Sequence, residues 1–216
     1  MSNSMSRPAI CLTTGAALGL AGVVLMPRLV GSQVENLAVI EAHSGRFLAA
    51  SALTFVSAIL LAVGFALLGG EVARGGHRRA SVLLFLGSVG WLLHTAVIAV
   101  NAVMSELASS TARTEMAEVA DQIFAGPVFL GLLIPMMLAT VIGMIGTGIV
   151  LWRTGRAPVW IGVAIAIALF LDFVTPEQLS GIPMFALLTV AFGALTTRKP
   201  LDRPAPSHPI PANAGQ

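Results

Sequence analysis

"ASVLLFLGSVGWLLHTAVIAVNAVM", residues 80–104, contains one acidic or basic side chain, His94. A bilayer core of about 30 Å is crossed by roughly 17 to 25 apolar residues in a helix, so this run is long enough to span it. Five more runs of that kind flank it, at residues 9–26, 47–68, 127–152, 158–174 and 176–196. Composition agrees: 56% of the chain is hydrophobic and 10% charged, against about 25% charged in soluble domains. Mean hydropathy is +0.89. Strands are not required, because helices satisfy their own backbone in lipid and no alternating ten-residue barrel pattern recurs. The expected fold is an all-α polytopic membrane helix bundle with six transmembrane helices.

Basic residues stay on the cytoplasmic side of a membrane protein. With the N-terminus inside, nine of the twelve basic residues are cytoplasmic: Arg7, Arg74, Arg78, Arg79, Arg153, Arg156, Arg198, Lys199 and Arg203. Only Arg28, Arg46 and Arg113 fall outside, so both termini are expected in the cytoplasm. Trp152 and Trp160 bracket the "RTGRAP" loop, where indole rings anchor helices at an interface. Residues 1–8 form the cytoplasmic N-terminus and 9–196 the transmembrane domain. The five-proline tail at 197–216 lacks apolar periodicity and is expected to be disordered. The first run, at 18 residues, exceeds a signal-peptide core of about 7 to 15, so it is read as a retained helix.

Between the 80–104 and 127–152 runs, Met116, Val119, Ala120, Ile123 and Phe124 recur at helical spacing, with Glu115, Glu118 and Asp121 on the other arc. That pattern predicts a short amphipathic interface helix, serving as a float or a lid. In the last run, Thr175, Pro176 and Gln178 suggest an N-cap, a first-turn proline and a capping box, with Pro183 kinking the helix as Pro135 kinks the 127–152 run.

Gly87, Gly90, His94, Ile98, Asn101 and Ser105 share one face of the 80–104 helix. An imidazole is costly against lipid, so this face is expected to turn inward. His94 is either a proton-handling or ligand-binding group or one end of an interhelical hydrogen bond to Thr54, Ser57 or Thr140. Asn101 lies about 10 Å further out and extends a polar path. His43, His77 and His208 are not at matching depth, so bis-histidine haem and multi-histidine metal sites are not expected, and no cofactor or metal is. Cys11, the single cysteine, excludes an intrachain disulfide.

Asp172 in "LFLDFVTP" either reaches the interface or is a desolvated general acid. Glu106 and Asp121 are the other acids an enzyme would use. Arg46 and His43, in "EAHSGRF", are expected near the external mouth, with Arg46 paired to an acid. Gly15 and Gly19 form a G-x-x-x-G pair suited to a close helix contact, within the chain or in a homo- or hetero-oligomer. No basic stripe suits nucleic acid.

The stretches "AHSGRFLAA" and "GTGIVLWRTGRAPVWIGVAIAIA" resemble those of a loosely defined group of uncharacterised bacterial six-helix integral membrane proteins. The likeness covers about residues 41–174 and implies no reaction. The expected localisation is the bacterial cytoplasmic membrane. The expected role is a non-enzymatic transport or membrane-partner component, with the lipid bilayer and a hydrophobic small molecule or lipid as partners. The alternative is a membrane-embedded enzyme using acid/base chemistry on a lipid or isoprenoid-like substrate.

Overall fold

The computed structural model describes residues 6–175, 179 and 181–197, and among them every regular element is a helix. In chain order these are α1 (Ser6–Leu25), α2 (Gln33–Ala42), α3 (Ser44–Arg74), α4 (Arg78–Ala108), α5 (Arg113–Ala125), α6 (Pro127–Arg153), α7 (Val159–Val174) and α8 (Ile182–Thr196). Four of them, α1, α3, α4 and α6, are long and apolar enough to cross a membrane. The apolar helices α7 and α8 have 16 and 15 residues. At 1.5 Å per residue they are about 24 and 22 Å long, against about 46 Å for α3 or α4.

The six apolar helices close into a ring: α1 packs on α3, α3 on α4, α4 on α6, α6 on α7, α7 on α8, and α8 returns to α1. Glycines set the seams. Gly15 lies against Leu61, Gly64 against Leu12, Gly90 against Thr140, and Gly148 against Gly162. Small residues let backbones approach, which is how apolar helices gain packing when burial from water is not the driving force. Gly15 and Gly19 are both buried within the chain, Gly19 beneath the ring of Phe185 on α8. At one end, which we call the basic end, short returns join α3 to α4 and α6 to α7. Gly76 (φ 90°) and Gly155 (φ 67°) occupy left-handed positions there that an L side chain rarely adopts.

At the opposite end, α2 and α5 lie over the ends of α3 and α4. They bury Leu37, Ile40, Phe47, Met104, Ala108, Ala117 and Ala120 in a second apolar cluster, separate from that of the ring. The amphipathic pattern of α5 is realised in part: Ala120 is buried, Met116 and Phe124 pack on this cluster, and Glu115, Glu118 and Asp121 are exposed, but Val119, expected on the apolar arc, is exposed and Ala117 is buried instead. Arg113 of α5 pairs with Glu41 of α2.

Helix α2 has no counterpart among the apolar runs, although its start carries a legible signal, Ser32 and Glu35 three residues apart. The Ser32 backbone N–H donates to Glu35 Oε2 at 2.7 Å and its hydroxyl donates to the same oxygen at 2.9 Å. These two bonds, the backbone one foremost, hold the Glu35 carboxyl below its ordinary value of 4.5. A lowered carboxyl favours the folded cap in full above that value and ceases to do so as pH falls through the folded pKa. The protection of α2 amides against exchange, relative to that of α3, is therefore expected to fall as pH drops below 4.5. Glu35→Gln should abolish this selective pH dependence; if it persists in that variant, the cap is not its origin.

The last helix begins later than its sequence suggests. Thr175 closes α7 with an extended backbone, and α8 starts at Ile182 after the left-handed Gly181, with Pro183 in its first turn rather than at an internal kink. A proline there lacks only an N–H that would be unsatisfied anyway. The capping contribution assigned to Pro176 and Gln178, and the proline-rich tail from residue 198 onward, lie outside the described residues.

Candidate functional site

On α4 the inward face is closed from Ser81 through Leu84, Gly87, Gly90 and Trp91, all buried. It then opens: His94, Ile98, Asn101 and Ser105, continuing that face, are each partly exposed, before Met104 and Ala108 are buried again under α2 and α5.

Helix lengths explain the opening. Trp91 packs on Phe185 of α8 with ring centroids 6.0 Å apart. Because α8 runs opposite to α4, the residue level with His94 is Ile182, where α8 begins. On the other side, Gly148 of α6 faces Gly162 of α7, and Val174, the end of α7, lies about 18 Å further along. The same distance along α6 from Gly148 reaches Met136, one turn beyond Thr140 as His94 is one turn beyond its neighbour Gly90. Two of the six apolar helices therefore stop at the level of His94, and α6 has no buried residue before Met136. Pro135 stands at the same level. It removes the helical bond to the carbonyl of Gly131.

Among the described residues, three buried polar atoms at this level have no hydrogen-bond partner: Trp91 Nε1, His94 Nδ1 and Thr140 Oγ1. Trp91 is 1% exposed and Thr140 7%. The Trp91 and His94 rings lie against each other, centroids 4.9 Å apart and planes tilted by 32°. Thr140 Oγ1 comes within 2.5 Å of where a Cβ on Gly90 would stand, one turn below His94. The interhelical bond that packing alone would use is not made. Ser57 donates instead to the Gly15 carbonyl at 2.7 Å, and Thr54 to the Ala50 carbonyl at 3.1 Å.

Further along the open face, Asn101 Nδ2 donates to Ser51 Oγ at 3.2 Å, a bond between α4 and α3. His43 is exposed between α2 and α3. Arg46 is also exposed, and it differs from its expected ion pairing: its Nε donates to the backbone carbonyl of Leu25, the last residue of α1. A guanidinium there meets the negative end of that helix. Glu41, one of the acids near that mouth, is held by Arg113 instead.

Asp172 is half-buried two residues before the end of α7, near the level of His94, on a helix that packs on α6 and α8. Glu106 and Asp121 are exposed at the capped end, on α4 and α5. The three carboxylates do not form one constellation. Among the described residues no group of three or more His, Cys, Asp or Glu side chains is placed to hold a metal ion. A concavity of about 480 Å3 lies at the basic end, lined by Gly76, His77, Arg78, Arg79 and Ala80. It contains none of the unpartnered buried atoms.

Helical folding thus places the imidazole against the indole and the Thr140 hydroxyl against Gly90, one turn from His94, with the unpartnered atom of each side chain enclosed. Set against known protein families, curated proteins and solved structures, the chain matches none of them.

Proposed function

We propose that the chain is a six-span integral protein of the bacterial cytoplasmic membrane, with both termini cytoplasmic, and that it serves transport or a partner protein by binding a small molecule at His94. In this reading the short α7 and α8 also pass into the bilayer from the basic end, where the exposed Trp152 and Trp160 stand at the interface. Helix α5 and its exposed acids cover the outer side. The observation that carries the binding reading is the change along one face of α4, sealed through Trp91 and open from His94 outward. Membrane-buried ionisable groups ordinarily face a cavity or a partner, and His94 has no protein partner for its Nδ1. The separation of Asp172 from Glu106 and Asp121 favours binding over acid/base catalysis.

Cysteine accessibility tests this reading in a Cys11→Ser background, since Cys11 is the only native cysteine. In intact cells, Ile98→Cys and Ser105→Cys should react with a membrane-impermeant thiol reagent while Ser81→Cys stays protected. His77→Cys, in the exposed return at the basic end, should react only after the membrane is opened. Labelling of His77→Cys in intact cells would invert the topology. Protection of Ile98→Cys and Ser105→Cys under all conditions would eliminate the open recess.

A further inference from the structure

We propose that the recess at His94 takes a neutral, membrane-soluble molecule whose polar end is a carbonyl oxygen, received by the hydrogen-bond donors of Trp91, His94 and Thr140. The inference rests on the binding reading above and adds the chemical class of the ligand.

Threonines elsewhere in the bundle show what an unoccupied hydroxyl does. Thr13, Thr147, Thr154 and Thr189 each donate to the carbonyl four residues back, at 2.7 to 2.8 Å. Thr140, buried and mid-helix, does not. A hydroxyl that forgoes the local bond, beside an indole N–H that is also unpartnered, leaves two side chains more than nine-tenths buried with polar atoms unused. Burying a polar atom without a partner is unfavourable, so two or three at one level call for a partner.

Donor chemistry selects that partner. Indole Nε1–H only donates, a hydroxyl donates or accepts, and a neutral imidazole donates from Nδ1 in one tautomer. An acceptor oxygen suits each of these donors, and a carbonyl, with two lone pairs, takes two of them at a time without needing to donate in return. Charge selects further. Across residues 8–25, 47–70, 80–105, 127–152, 159–174 and 182–196 the acidic or basic side chains are His94 and Asp172. There is no arginine or lysine to neutralise a carboxylate or phosphate, and an unpaired charge is expensive in such surroundings. Phe185 and Ile98 supply apolar contact for the rest of the molecule.

The test uses the full chain in lipid nanodiscs carrying Trp152→Phe and Trp160→Phe, so that Trp91 is the one remaining tryptophan. The probes are 2-tridecanone, tridecane, tridecylamine and tridecanoate. The ketone should shift Trp91 emission to longer wavelength in a saturable way, as the indole N–H gains an acceptor. Thr140→Val and His94→Gln should each weaken its apparent affinity about three- to tenfold, the factor for one neutral hydrogen bond. An equal saturable shift with tridecane, or tighter binding of the amine or the carboxylate, would overturn the inference. So would the absence of any saturable shift with the ketone. In that last case, continued labelling of Ile98→Cys would show that the recess exists but holds water, which separates failure of the ligand class from failure of the binding reading.

Discussion

Gly143→Ala is expected to destabilise the protein by about 3 kcal/mol or more, at or above the top of the range for overpacking. A Cβ at position 143 would fall on the backbone N and Cα of Gly87 across the α4–α6 seam and reach the backbone carbon of Leu86 at 2.9 Å. Side chains relieve such overlap by changing rotamer; a facing backbone cannot. The two helices would have to move apart, and that seam aligns Thr140 with Gly90 and so sets the level of the site. Gly131→Ala on the same helix is the control, because a Cβ there meets nothing within 4 Å. It should be neutral or stabilising by up to about 1 kcal/mol, the helix propensity gained over glycine. Thermal unfolding of both variants in one detergent decides the matter. Equal midpoints would mean that the seam is not close-packed.

Arg156→Ala should cost about 3 kcal/mol, the lower end of the range for breaking a buried ion pair by removing one partner. Arg156 lies in the return between α6 and α7, with Nη1 3.5 Å from Glu71 Oε2 and Nη2 donating to the Glu71 backbone carbonyl at 3.1 Å. Glu71 is 8% exposed near the end of α3, while Arg156 retains 22% exposure, which is why the lower end applies. The arginine both neutralises a sequestered carboxylate and caps a helix terminus, and alanine removes both effects. Adding Glu71→Gln to Arg156→Ala should recover much of the loss by removing the stranded charge. If the double variant is less stable than Arg156→Ala alone, the cost comes from the loop and not from the pair.

Much of this fold is legible locally. The six apolar runs each correspond to a helix, because helix formation in an apolar segment depends on neighbours a few residues away. The α5 pattern and the shared face of Gly87, Gly90 and His94 are read for the same reason, since spacing along one helix fixes which side chains share a side. The start of α8 was misplaced because Thr175 and Pro176 carry genuine cap chemistry, while the chain uses Thr175 to end α7. Helix α2 was missed because its ten residues are too few and too mixed to stand out as a span, although its capping box is present in the sequence.

The partners of polar side chains were not legible, because a partner depends on the register between helices far apart in the chain. Arg46 finds the Leu25 carbonyl and Glu41 finds Arg113, a pairing across 72 positions. Sequence alone determined that the chain is helical and apolar and that His94 lies on the inward face of its helix, through periodicity and the cost of placing imidazole against lipid. Only the tertiary structure decided that α7 and α8 end level with His94, and that Thr140 and Trp91 join it with donors unpaired. Glycine seams align the helices, helix ends set where the ring opens, and neither follows from the hydropathy of any one segment.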